Sequence, residues 1–146
     1  MLHEKQVKLQ IDASIKTEEP FLLFENIIVD RGSRYSVSVG KISNRSDVAL
    51  FIQQLKSKKK YAKATHNTWA CRAMKDGCIF ESKNDDGETG AGMVVLRQMQ
   101  KVEAIDMVIC VTRWFGGVYL QGDRFKHVKD ATNYALEKIA LSIKEK

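Results

Sequence analysis

Long apolar runs are what this sequence most plainly lacks. Nothing in it approaches 18 consecutive apolar residues, and the start, Met1-Leu2-His3-Glu4-Lys5, has none of the apolar character of a signal peptide. No membrane partner is expected, and the expectation is a soluble, cytoplasmic chain. Cysteine is also sparse. Cys71, Cys78 and Cys110 are odd in number, show no Cys-x-x-Cys spacing and lie within apolar strand patterns. That excludes a disulfide framework and predicts buried, reduced thiols, as a reducing cytosol allows. Pro20 is the only proline, and there is no internal repeat or low-complexity linker. Of the three histidines, His3, His66 and His127, only His66 stands in a recognisable word, and no standard zinc spacing joins it to the cysteines or the acids. No cofactor and no metal are expected.

Acidic residues are missing from one stretch in particular. From Arg31 to Lys63 nine cations face the single acid Asp47, a local balance of +8 within a whole-chain charge of +6. Glu81 to Glu88 runs the other way, with Glu81, Asp85, Asp86 and Glu88 against Lys83. One pole should attract polyanions or acidic proteins and the other repel them. Arg31, Arg34, Arg45, Lys58, Lys59, Lys60 and Lys63 are expected to contribute to a cationic surface that binds RNA, a ribosome or an acidic protein. Part of this charge has a structural explanation. Lys58-Lys59-Lys60 fall in or just beyond the last turn of a helix, where cations oppose the negative end of its dipole.

At 146 residues the chain suits one domain. Residues 1–25 read as an N-terminal arm or added edge strand, and 26–146 as the folded α+β domain. Within it, Asn26 to Asp30 and Tyr35 to Ile42 alternate like strands around the turn Asp30-Arg31-Gly32-Ser33, which predicts a hairpin. Asn44 with Asp47 signals a helix start, and Val48, Phe51, Ile52 and Leu55 form its apolar stripe. A second hairpin, Thr68 to Met74 and Cys78 to Lys83, turns at Asp76-Gly77 and sets Arg72 opposite Glu81. A helix from Gly90 or Ala91 to Val102, a central strand from Met107 to Thr112 and a long helix capped by Asp123 complete the pattern. Strands alternating with three helices and including two hairpins predict a two-layer sandwich of a mixed sheet with helices on one face.

Three segments carry candidate chemistry. Asp85-Asp86-Gly87-Glu88-Thr89-Gly90-Ala91-Gly92 lies between a strand and a helix, where backbone amides can cradle a phosphate. Its three carboxylates argue against that, and no Gly-Lys-Ser/Thr word follows. The favoured reading puts acids at the positive end of the helix and glycines at a tight packing point; docking a protein or binding an anion is the alternative. Lys63-Ala64-Thr65-His66-Asn67 reads as a structural bend: as a base His66 would need a nucleophile or a substrate pocket, and Thr65 beside it in sequence is evidence of neither. In Arg113-Trp114-Phe115-Gly116-Gly117, strand alternation turns one aromatic into the core and the other outward. The outward ring beside Arg113 suits partner docking, and the pair suits RNA base stacking. Asp123-Arg124-Phe125-Lys126-His127 adds Arg124 and Lys126 to the candidate binding residues. No catalytic set is assembled, so an enzyme is not expected; a magnesium-dependent phosphotransferase ranks third.

In this order and at these spacings the segments resemble the IMPACT family over roughly Ile27 to Ile139, and bacterial relatives carry similar words. Asp-Arg-Phe-Lys-His looks like the eukaryotic branch. Gln121-Gly122 departs from the Gly-Pro expected before the aspartate. The resemblance implies a ribosomal-protein-S5-domain-2-like fold. It also implies a non-enzymatic translational regulator that competes with the general-control kinase for its ribosome-associated activator. Such a regulator restrains phosphorylation of initiation factor 2 alpha during amino-acid starvation and also binds actin. Eukaryotic members usually carry an additional N-terminal RWD domain, for which residues 1–25 are too short. The runner-up is an RNA- or ribosome-binding module using the Arg31 to Lys63 surface.

Overall fold

The two hairpins form where Arg31-Gly32 and Asp76-Gly77 interrupt alternating sequence. In the computed structural model, which describes residues 14–145, these four residues have φ of 47°, 83°, 53° and 79°. Such left-handed pairs give a two-residue turn the twist of its strands. The turns join β1 (Phe21–Asp30) to β2 (Ser33–Lys41), and β3 (His66–Lys75) to β4 (Cys78–Asn84). The predicted register holds in the second hairpin: Arg72 lies opposite Glu81, Cys71 opposite Ser82 and Lys75 opposite Cys78. Part of the expected N-terminal arm, residues 1–13, lies outside the described residues. Residues 21–25 belong to β1, an edge strand that bulges between Phe24 and Ile28, with Asn26 at φ 52°.

The helices follow their sequence signals closely. α1 (Arg45–Lys56) starts with a reciprocal capping box. The Asp47 amide donates to Asn44 Oδ1 at 3.1 Å, and the Asn44 amide donates to Asp47 Oδ2 at 3.3 Å. α2 is the single turn Lys59–Ala62, α3 spans Ala91–Lys101, and α4 runs over Asp123–Lys144 after β5 (Met107–Trp114). None of these helices is long and apolar enough to cross a membrane.

The α+β class is as the sequence predicts, but the layering differs in two ways. The sheet, ordered β1-β2-β5-β3-β4, is antiparallel at every pairing of named strands and not mixed. Helices also cover both of its faces. Met107, Ile109 and Val111 of β5 pack with α3 and α4, while Val108 and Cys110 pack with Phe51 and Leu55 of α1. The cause is legible in β5, whose apolar residues run without alternation and so need cover on each side. Gly40 makes room for α1, because a Cβ there would fall 2.3 Å from the Phe51 ring.

Three smaller expectations also change. Cys71 and Cys110 are buried, but Cys78 is exposed because it is the first residue after the hairpin turn. Asp123 does not cap α4: Gly122 occupies the cap with no side-chain hydrogen bond, and the Asp123 carboxylate accepts from Arg31 Nη2 at 2.6 Å. His127, expected from the helix pattern to project from the polar side of α4, instead turns toward the sheet, 2.7 Å from Asp30 Oδ2 and with its ring 5.2 Å from that of Tyr35.

Candidate functional site

Sheet register gathers the sequence words at one end. Arg113 near the end of β5 lies opposite Tyr35 of β2 on one side and His66 of β3 on the other. Directly opposed residues share a face, so these three form a row on the α3/α4 side. The β1–β2 turn, the loop before α3 and the loop before α4 converge on this row.

A buried ion cluster occupies its centre. Arg113 Nη1 donates to Glu88 Oε1 at 2.9 Å, and the two side chains are only 8% and 4% exposed. His66 Nε2 lies 3.1 Å from Glu88 Oε2, and its Nδ1 is 2.8 Å from the Asp86 carbonyl. Each element therefore fixes the next: Glu88 anchors the acidic loop to β5, and His66 anchors it to β3.

The rest of that loop is directed toward backbone amides. Asp85 Oδ2 accepts from the Gly90 amide at 2.9 Å and its Oδ1 from the Gly92 amide at 2.8 Å. These bonds, the Gly90 one first, hold the Asp85 carboxyl below its usual range against the opposing effect of burial. Asp86 Oδ2 accepts from the Asn67 amide at 2.7 Å. Gly92 is needed here, since a Cβ would lie 2.7 Å from Asp85 Oδ1. The loop thus serves chain geometry, and its acids have inner contacts that a phosphate or a basic partner would have to displace. Among the described residues, no group of three or more His, Cys, Asp or Glu side chains is arranged to hold a metal.

The aromatic pair divides as alternation requires. Trp114 turns toward α2, where its Nε1 donates to the Lys60 carbonyl at 3.0 Å and its ring meets Tyr61 edge-on at 5.0 Å. Phe115 turns outward, 41% exposed, with its ring 5.1 Å from that of Tyr119. Val118 and Tyr119 are 48% and 76% exposed, so the three make an apolar rim beside the ion cluster. The Thr65 hydroxyl accepts from the Phe115 amide at 2.9 Å, so Thr65 is a clamp on the β5 exit. Gly116 crosses the β1–β2 turn so closely that a Cβ would stand 2.0 Å from the Gly32 carbonyl carbon.

The cationic residues are distributed less simply. Arg34 lies opposite Trp114, and the Lys60 ammonium sits 5.1 Å over the Trp114 ring, so both belong to this end. Lys60 also pairs with Glu25 at 3.5 Å. Arg45 stands apart, over the Phe80 ring at the first turn of α1, with the length of that 12-residue helix, about 16 Å, between it and the Lys58 end. Arg31 is taken up by Asp30 and Asp123. Arg124 lies over Phe125, and among the described residues Lys126 makes only an exposed pair with Asp130. Sequence reasoning missed Tyr35 and Tyr61. Tyr61 is 2% exposed and donates its hydroxyl to Glu25 at 2.7 Å, and burial pushes that hydroxyl up to about 12. Inward parity in β2 marks Tyr35, but the single-turn α2 has no periodic signal to mark Tyr61.

The model of the Impact N-terminal domain family matches residues 31–136. Protein IMPACT-A of Xenopus tropicalis is 36% identical over 129 residues, covering 86% of this chain and 41% of that protein. A protein IMPACT homolog of Dictyostelium discoideum is 38% identical over 106 residues, covering 72% of this chain and 31% of that protein. A solved structure of the two-domain translational regulator Yih1 matches with TM-score 0.58 at 28% identity, over 89% of this chain and 50% of that one. A crystal structure of a hypothetical protein shares the fold with TM-score 0.67 at 22% identity, over 82% of this chain and 61% of that one. The chain spans about two fifths of the length of its Xenopus relative.

Proposed function

We propose a translational-regulatory role for this domain, from the premise that the chain belongs to the IMPACT family. In this reading it is a non-enzymatic cytoplasmic competitor. It docks on the ribosome-associated activator of the general-control kinase and so restrains phosphorylation of initiation factor 2 alpha during amino-acid starvation. The observation that carries it is the rim of Phe115, Val118 and Tyr119, exposed beside a cluster whose acids and histidine are already engaged within the chain. A rigid scaffold offering aromatics and arginine is suited to binding. At this end the Thr65 hydroxyl beside His66 is engaged as an acceptor for the Phe115 amide. The Yih1 likeness supports a regulator over an enzyme. Actin is a further candidate partner.

A second reading, RNA or ribosome binding, rests on a separate observation: among the described residues Arg34, Lys58, Lys59 and Lys63 form no ion pair, near the half-buried Trp114. Capture from lysate with and without nuclease separates the two. Capture of the kinase activator that survives nuclease, and falls roughly tenfold or more in a Phe115→Ser, Tyr119→Ser variant, supports the regulator. Loss of all captured protein on nuclease treatment supports the nucleic-acid module.

A further inference from the structure

Four buried polar atoms among the described residues find no hydrogen-bond partner: Tyr35 Oη, Ser38 Oγ, Arg113 Nε and Arg124 Nε. A buried donor left unpaired is costly, and more so when it is charged. Three of the four belong to one end of the molecule, for Tyr35 lies opposite Arg113 and the Arg113 guanidinium is 5.7 Å over its ring. Arg113 and Arg124 also line one cleft of about 330 Å³, together with Tyr119, Leu120, Gly122 and Phe125. The cleft opens at the start of α4, a helix of 22 residues whose cap makes no side-chain hydrogen bond. Arg113 is 7% exposed. It has a carboxylate on Nη1, yet its Nε–H has no acceptor.

The charge around the cleft selects the kind of anion. Glu88 offsets Arg113, while Asp30 and Asp123 take up Arg31. Arg124 makes no ion pair among the described residues. One uncompensated cation suits a monoanion. A dianionic phosphate would bring a second negative charge with no second free cation to offset it, beside an Arg113 already paired with Glu88. Phe115, Val118 and Tyr119 on the rim suit apolar neighbours of the charged group.

We propose that the cleft between the β5 exit and the start of α4 is a carboxylate-binding pocket. It takes an acidic side chain from an apolar-flanked docking segment, held by the Arg124 and Arg113 Nε–H donors. Binding requires each guanidinium to turn, since both Nε atoms are enclosed in this structure. The source of the carboxylate rests on the docking reading above; the pocket itself can be tested with a small acid.

The experiment follows arginine Nε–H resonances of the full chain in ¹H–¹⁵N spectra. Sodium acetate, sodium chloride and sodium phosphate are titrated at matched ionic strength, followed by a capped hexapeptide with aspartate between leucines and its asparagine counterpart. Acetate should give saturable downfield shifts of both resonances, and chloride none. The aspartate peptide should bind roughly tenfold or more tightly than either acetate or the asparagine peptide, as expected for a hydrogen-bonded charged group. Arg124→Gln should weaken acetate binding by at least roughly tenfold, while Lys126→Gln leaves it unchanged. Absence of a saturable acetate response, or tighter binding of phosphate than of acetate, overturns the pocket. Equal binding of the two peptides, or an aspartate peptide no tighter than acetate, overturns the docking segment as its source. Failure to capture the kinase activator with the acetate response intact removes the functional reading and leaves the pocket standing.

Discussion

Replacing Glu88 by Gln removes one charge from the centre of the ion cluster without changing its volume. Glu88 is 3% exposed and Arg113 7%, so water cannot compensate the guanidinium once its carboxylate is gone. Both carboxylate oxygens are in use, Oε1 with Arg113 at 2.9 Å and Oε2 with His66 at 3.1 Å. The amide keeps one acceptor oxygen for Arg113 Nη1 and turns its NH₂ toward His66 Nε2, so the guanidinium loses the negative charge that offsets it. Removing one partner of a buried pair costs about 3–5 kcal/mol, because the remaining charge stays buried. For a domain of this size each kcal/mol lowers the melting temperature by roughly 2–4 °C, so a fall of roughly 6–20 °C is expected. Thermal melts followed by circular dichroism, with urea titrations for free energies, measure it. Adding Arg113→Met to Glu88→Gln should recover part of the loss, since the buried charge then disappears. A Glu88→Gln melt within roughly 2 °C of the parent would refute the cluster as the clamp between loop and sheet.

Gly116→Ala should lose about 3 kcal/mol or more, since its Cβ would meet backbone of Gly32 and Ser33 at 2.0 and 2.3 Å. Gly77→Ala, at φ 79° with no atom within 4 Å, should lose only about 1–2 kcal/mol in the same urea titration; the reverse order would contradict the close crossing. A thiol reagent should label one cysteine quickly, the exposed Cys78. Cys71 and Cys110 should react only on unfolding, the Cys110 thiol being pushed up to about 12 by burial; three fast thiols would contradict the packing. Acid should also destabilise the fold. Asp30 is lowered from 3.8 to about 2, first by Arg31 and then by His127, and Asp85 is lowered by the Gly90 amide. Depressed carboxyl values stabilise above the unfolded range, so the urea midpoint should fall as pH drops from about 4 to 2, less steeply in Asp85→Asn; a flat midpoint would contradict this.

Local signals carried most of the fold. Asn44 with Asp47 and the two Gly-containing turns act within a few residues, so capping and φ preferences place α1 and both hairpins directly. Layering was harder to read, because the Val48, Phe51 and Leu55 stripe marks an inward face without saying which face of the sheet receives it. The unbroken apolar run of β5 held that information, as a strand needing cover on both sides. At the site, alternation predicted that one of Trp114 and Phe115 turns inward and the other outward, without saying which. The bonds of Asp85 and Asp86 were not legible, since a carboxylate that caps its own loop and one offered to a partner look alike in sequence. Gln121 illustrates a related limit. It takes φ 56°, a left-handed conformation, at the position where glycine is expected from the sequence.

The central claim is that this end of the sheet docks a protein and thereby restrains the kinase. The most direct measurement is phosphorylation of initiation factor 2 alpha in an amino-acid-starved extract to which the purified chain is added, beside its Phe115→Ser, Tyr119→Ser variant at equal folded concentration. The account predicts a dose-dependent fall in phosphorylation with the parent chain and little or none with the variant. Phosphorylation unchanged by the folded parent, or lowered equally by both, would contradict it.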